Sequence, residues 1–151
     1  SCGRLSWEII EGDFLATMEK APAPDLIFYD PFSSKTDKAL WTASAFLQVI
    51  RCCQSKDVEL FTYSTSTAVR AAMLSAGFFV GAGVGTGPKT ETTRAYKARK
   101  PNEAWNLLSK EWLQRWNRSD AKYPFGLGPD KKGEFERQIL GHPQFIFEDR
   151  I

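Results

Sequence analysis

Apolar and polar positions fall along this chain in blocks that predict alternating strands and helices. The unbroken run Leu26 to Tyr29 has the length and content of a buried central strand of a parallel sheet. Pro31, two positions on, stops the strand and stiffens the chain. Upstream, Trp7 to Ile10 predicts a short strand closed by Gly12-Asp13, and Phe14 to Glu19 one or two helical turns before Pro22 and Pro24 break the chain. Thr42 is a good N-cap for a helix from Ala43 to about Cys53, with Phe46, Val49, Ile50 and Cys53 as its apolar face. Val58 to Tyr63 is the next strand. The cluster Ser64 to Thr67 caps a helix running through Val69, Ala72, Met73 and Ala76, with Gly77 as its natural C′ residue. Phe78 to Gly81 and Thr92 to Lys97 are strands that a glycine-rich turn joins into a hairpin. Pro101 opens a helix to about Trp116, whose stripe Trp105, Leu108 and Trp112 reads as core packing. From Ser119 onward Gly, Pro and charge predict an irregular tail, pinned by Phe125, Phe135, Phe145 and Phe147.

This order argues for an α/β sheet with right-handed crossovers and an antiparallel edge hairpin. Residues 1–98 form the sheet domain and residues 99–151 a helix and basic tail packed on it. At 151 residues the chain is about one domain. No apolar stretch approaches the ~20 residues of a membrane span, and the start has no signal-peptide shape. The three cysteines, Cys2 and the adjacent Cys52 and Cys53, lack metal-ligand spacing, so a reduced cytoplasmic setting and no metal are expected. A single histidine, His142, leaves no room for most His-based catalytic arrangements and reads as structural. The formal charge is +2, yet residues 94–137 carry eleven Lys or Arg against six acids. A basic flank of this kind suits a phosphate-rich partner, and equally a solvated charged helix and tail.

Candidate chemistry centres on Asp30-Pro31-Phe32-Ser33. A carboxylate at the carboxyl end of a parallel strand lies where open α/β sheets place their ligands. An acid, a rigid turn and a flat ring suit a planar, amine-bearing substrate such as a nucleobase. The alternative is an ordinary Asp-Pro turn. Two nucleotide motifs fail on context. The glycines at 81, 83, 85 and 87 lead into the β-rich Thr92 to Tyr96 rather than a helix, and Pro88 separates Gly87 from Lys89-Thr90. Those glycines instead suit a hairpin that approaches a ligand or the sheet closely. Asp30 and Asp57 lie at opposite ends of successive strands, which removes a two-acid hydrolase.

Taken in order, several blocks resemble the methyltransferase domain of the tRNA 5-methylaminomethyl-2-thiouridine-forming enzymes, the MnmC-like family. They are Gly12-Asp13-Phe14, Asp25 to Ser33, Leu40-Trp41-Thr42, Thr62-Tyr63-Ser64 running into Val69-Arg70, Ala76-Gly77-Phe78 and Gly85 to Glu91. Together they cover roughly residues 5–97. The resemblance implies a Rossmann-like class I methyltransferase sheet and an S-adenosylmethionine-dependent enzyme acting on the exocyclic amine of 5-aminomethyl(-2-thio)uridine at the tRNA wobble position. It implies that Asp13 meets the cofactor adenine with Phe14 beside it. It places Asp30 as the acid that orients and deprotonates the amine. Pro31, Phe32 and Trp41 then wall the substrate, Tyr63 and Ser64 line the same crevice, and Lys89 and Arg94 meet backbone phosphates. Some members of the family carry a fused flavin-dependent domain.

The chain departs from that family in having Pro88 and Thr90 where the turn is richer in Arg and Lys, and Asp-Pro-Phe in place of Asp-Gly-Phe. On the family pattern it begins at the third strand, without the glycine-rich loop and ribose-binding acid of the first two. A C-terminal portion with only part of the cofactor site is therefore expected, as is self-association through an exposed sheet edge. Two alternatives stand beside the tRNA enzyme: a non-catalytic nucleic-acid-binding or interaction module derived from the same fold, and a methyltransferase acting on another amine.

Overall fold

The computed structural model describes residues 3–88, 90–98 and 106–146. Its sheet has four strands: β1 (Leu26–Phe28), β2 (Glu59–Thr62), β3 (Phe79–Val84) and β4 (Glu91–Tyr96), in the spatial order β1-β2-β4-β3. β1 runs parallel to β2, with Ile27 opposite Leu60, and β4 runs antiparallel to both β2 and β3. The hairpin thus folds back so that its second strand fills the gap beside β2. Helices α2 (Ala43–Cys52) and α3 (Thr67–Ser75) connect β1 to β2 and β2 to β3.

Side-chain alternation decides which face of the sheet is covered. Leu60, Thr62, Val80, Thr93 and Ala95 are buried. They share the interior with Phe46 and Val49 of α2 and with Val69, Met73 and Leu74 of α3. Burying one such side chain contributes about 2 kcal/mol, so Phe46→Ala would remove several kcal/mol once the cavity is added. Both helices are closed by local chemistry the sequence announces. The Thr42 hydroxyl accepts the Ala45 amide at 3.1 Å. Gly77 takes φ +100°, and the amides of Gly77 and Phe78 return to the carbonyls of Leu74 and Met73, a Schellman closure that needs the left-handed residue. In β3, a side chain on Gly83 would collide with Thr92, whose hydroxyl donates to the Val84 carbonyl at 2.9 Å. The glycines of this segment therefore serve the hairpin, as expected, and no helix follows them.

Four expectations need correction. Trp7 to Ile10 is not a strand: a strand needs a hydrogen-bonding neighbour, and among the described residues this segment has none, leaving Leu5, Trp7 and Ile9 at 81–92% exposure. β1 is an edge strand here rather than a central one; Ile27 and Tyr29 face inward, while Phe28 is 78% exposed. The helix expected from Pro101 starts at Lys110 instead (α4, Lys110–Arg118). Residues 106–108 run along the outer edge of β3, the Asn106 carbonyl accepting the Ala82 amide and the Leu108 amide donating to the Val80 carbonyl, both at 2.9 Å. Leu108 is therefore buried from this edge segment and Trp112 from a helix, while Trp105 lies outside the described residues. Lastly, the tail is not irregular: α5 (Lys132–Leu140) and α6 (Pro143–Ile146) follow, burying Phe135, Ile139 and Phe145. Phe125 is half-exposed and Phe147 lies outside the described residues. The Gln144 side chain closes what remains of the β3 edge, bonding the Val80 amide and carbonyl and the Leu108 carbonyl at 2.7–2.9 Å. No helix among the described residues is long and apolar enough to cross a membrane.

Candidate active site

The carboxyl end of β1 is held by Tyr29. Its amide donates to the Phe61 carbonyl at 2.8 Å, and its hydroxyl donates to the Leu40 carbonyl at 2.5 Å. Its ring meets Trp41, Phe46 and Phe14 at centroid distances of 5.5, 5.3 and 5.8 Å. That burial pushes the Tyr29 hydroxyl pKa well up, so the phenol stays a neutral donor. The next residue, Asp30, is thereby presented to solvent from a rigid anchor.

Asp30 lies on the shared rim of two hollows. One, of about 290 Å³, sits on the open face of the sheet and includes Phe28, Phe61, Thr92 and Arg94. The other is a broad crevice of about 1190 Å³ across the ends of β1 and β2. Into that crevice the fold brings Asp30, Pro31, Phe32, Trp41, Tyr63 and Ser64, six of the residues singled out from sequence. Tyr63 and Thr86 line both hollows. The crevice contains two carboxylates, Asp30 and Asp37, and no Lys, Arg or His among its described lining. Phe32 and Tyr63 are the accessible rings, at 76% and 49% exposure.

Other candidates stand differently. Trp41 is only 3% exposed, so its face is not a wall for a base; its indole N–H donates to the Phe32 carbonyl at 2.9 Å and props the Pro31–Phe32 turn. Arg94 belongs to the smaller hollow. Its guanidinium pairs with Glu59 at 3.0 Å and lies over the rings of Phe61 and Tyr96, which leaves its charge neutralised at short range. Lys89 lies outside the described residues. Asp13 caps α1 (Phe14–Thr17), its Oδ1 accepting the Ala16 amide at 3.0 Å. Asp13 and Phe14 line neither hollow, and they adjoin the site only through the edge contact of Phe14 with Tyr29. Asp57 precedes β2 while Asp30 follows the parallel β1, so these two acids are indeed at opposite ends.

Sequence reasoning missed Asp37 and Thr86. The polar turn Ser33-Ser-Lys-Thr-Asp37 carried a signal for the first, because its amides fold back on the Ser33 carbonyl and bring the acid over the crevice. A threonine among glycines gave none for the second. Among the described residues no group of three or more His, Cys, Asp or Glu is placed to hold a metal ion.

The residues fit one end of an adenosyl cofactor. Asp13 commits Oδ1 to the helix cap, and its second carboxylate oxygen and the 42% exposed Phe14 ring offer an acceptor and an apolar face of the kind an adenine could use.

Comparison with known proteins sets this geometry in a family. The chain is 28% identical over 114 residues to the tRNA 5-methylaminomethyl-2-thiouridine biosynthesis bifunctional protein MnmC of Pseudomonas putida (strain W619), covering 75% of this chain and 17% of that protein. The crystal structure of MNMC2 from Aquifex aeolicus superposes with a TM-score of 0.65 at 23% identity, covering 92% of this chain and 44% of that one. The chain thus spans less than half the length of either. The sequence pattern of the S-adenosyl-L-methionine-dependent methyltransferases matches residues 1–98, and the chain belongs to that family.

Proposed function

We propose that this chain carries the acceptor side of an S-adenosylmethionine-dependent methyltransferase. Its substrate would be the exocyclic amine of 5-aminomethyl(-2-thio)uridine at the tRNA wobble position. The observation that supports this most is the charge of the crevice. Its two carboxylates, with no Lys, Arg or His in the described lining, favour an ammonium group over a phosphate; Lys35 and Lys38 flank Asp37 in the chain but do not line the crevice. A nucleobase bearing a protonated amine suits that crevice; an unmodified base leaves Asp30 without a partner.

An ammonium nitrogen has no lone pair, so it must lose a proton before it can accept a methyl group. Asp30 would hold the ammonium by a charge-assisted hydrogen bond and accept that proton as the nitrogen becomes nucleophilic. Phe32 and Tyr63 would stack against the pyrimidine, and Trp41 and Tyr29 would keep the Asp30 turn from drifting. Alignment matters here because methyl transfer draws most of its rate from proximity and orientation. When bound, the cofactor supplies an electrophilic methyl on sulfonium, and Asp13 and Phe14 would hold its adenine. The P. putida relative is a bifunctional protein. A fused flavin-dependent oxidoreductase that exposes the amine would be consistent with the same reading.

The test is methyl transfer to anticodon stem-loop RNA carrying 5-aminomethyl-2-thiouridine, with the uridine version as control. Asp30→Asn should lower kcat by about 10²–10⁴ while leaving the fold intact. Unchanged turnover in that variant, or equal methylation of the uridine RNA, would sink the assignment. The open sheet face, with Phe28 and Leu26 exposed, favours a second reading as an interaction module. RNA binding with no affinity for S-adenosylhomocysteine would select that one.

A further inference from the structure

Arg70 is a cation set in an apolar helix. It lies on α3 between Val69 and Ala71, is 5% exposed, and points at the hairpin instead of into the crevice. Its Nε–H donates to the Thr93 hydroxyl at 2.9 Å. A terminal nitrogen donates to the Thr92 carbonyl at 3.0 Å and pairs with the Glu91 carboxylate. Because the Thr93 hydroxyl accepts from Arg70, its own proton passes on, and it goes to the Ser64 carbonyl. Thr93 is fully buried, so nothing competes for that bond.

Both ends of this relay adjoin segments that line the candidate site. Ser64 opens the loop that lines the crevice through Thr65 and Ser66. Glu91 begins β4 after the turn whose Thr86 and Pro88 also line the crevice. Holding a hairpin against a helix requires only apolar contact. A buried guanidinium carries a desolvation cost, and well-packed apolar residues commonly do as well for stability. What a guanidinium adds is fixed direction: several donors in one rigid plane, each aimed at a different backbone or side-chain oxygen.

The geometry points to Arg70 as a positioning residue. Through Thr93 and Glu91 it fixes the separation of the Ser64–Ser66 loop from the Thr86–Pro88 turn, and with it the shape of that part of the crevice that receives the acceptor. This inference rests on the methyltransferase reading given above and assigns a residue that acts on its acceptor side.

The test pairs Thr93→Val, which removes the relay at nearly constant volume, with Thr93→Ser, which keeps the hydroxyl. Both are made in the full-length protein, with Arg70→Lys as a third variant that keeps the charge and loses the fork. In Thr93→Val and Arg70→Lys, amide hydrogen exchange at Ser64 and Ser66 and at Gly83 and Thr92, which bound the two loops, should rise about tenfold, with α3 protection unchanged. On aminomethyl stem-loop RNA, kcat should fall about tenfold while affinity for S-adenosylhomocysteine stays the same. Thr93→Ser should behave as wild type. Unchanged exchange at the two loops overturns the clamp. Raised exchange with unchanged kcat overturns its role in positioning. A wild-type protein that methylates nothing and binds no S-adenosylhomocysteine overturns the methyltransferase reading instead. The exchange result would still decide whether Arg70 sets the loops.

Discussion

Lowering the pH from 7 to 5 should destabilise this protein through a single side chain. His142 is the chain's only histidine, and it is buried. It sits between the rings of Phe79 and Phe145 at 5.4 and 6.2 Å, and its Nδ1 accepts the Gln144 amide at 3.1 Å. Burial holds its pKa down at about 4, against 6.5 for an exposed imidazole. At pH 7 the ring is neutral in the folded chain and predominantly neutral in the unfolded one. Below 6.5 the unfolded chain takes up a proton that the native state refuses until about pH 4. Stability is therefore lost as pH falls through that window. One pKa unit corresponds to ~1.4 kcal/mol, so the loss amounts to about 2 kcal/mol by pH 5 and about 3 kcal/mol in full. Against a total stability of roughly 5–15 kcal/mol, that is large enough to measure directly. Protonating Nδ1 also removes the acceptor for the Gln144 amide, and the Gln144 side chain reinforces the direct bond between Val80 and Leu108. The C-terminal helices should thus loosen from β3 first. Urea titrations of the wild type and His142→Gln at pH 7 and 5 would measure the difference. The sole imidazole resonance would report the native pKa. A native midpoint near 6.5, or the same pH dependence in the variant, would refute the reasoning.

Trp41→Phe removes the N–H that holds the Phe32 carbonyl and leaves a smaller ring beside Tyr29 and Phe46. It should cost about 2 kcal/mol by urea titration and raise KM for the acceptor RNA, because the turn carrying Asp30 is no longer propped. Asp13→Ala should lower stability by about 1 kcal/mol through the lost cap of α1, and weaken S-adenosylhomocysteine more than RNA in calorimetric titration. Equal losses for both ligands would contradict the cofactor-side assignment. Asp37→Asn should strengthen binding of unmodified stem-loop RNA and reduce the preference for the aminomethyl form. Competition binding with the two RNAs checks this, and an unaltered preference would exclude Asp37 from substrate discrimination.

What could be read from sequence depended on whether a residue's environment is local. Thr42, Gly77 and the Phe46–Val49 stripe act within a turn or two of themselves, and the helices they predict stand as read. Asp30, Pro31 and Phe32 were legible for the same reason: a strand end and a proline fix them whatever the sheet order. Trp41 and Arg94 were not, because their roles come from partners nine and thirty-five positions away, the Phe32 carbonyl and Glu59. Arg70 appeared in the sequence only as part of a matching block. Its place as the tie between two loops required the antiparallel insertion of β4 beside β2. The tail was misread because its glycines and prolines outweighed Phe135 and Ile139, whose four-residue spacing is the stripe that α5 buries.

Two cations of the basic flank, Arg94 and Lys122, serve the fold. By count, residues 94–137 carry an excess of five positive charges, the pattern of a phosphate-binding surface. Within that span Arg94 is matched by Glu59 and Lys122 by Glu136, which Tyr123 also bonds. Just upstream, Arg70 is matched by Glu91. These cations hold strands, loops and helices to one another, and an acid a few ångströms away cancels most of the field each would project. The crevice itself is negative. The described lining of the crevice carries no cation, so under the proposed function discrimination would fall to the amine that Asp30 and Asp37 could hold and to the base that Phe32 and Tyr63 could stack. A site organised in this way would choose its nucleotide by modification before it chose by backbone. RNA affinity at the crevice should accordingly depend less on salt than on whether the aminomethyl group is present.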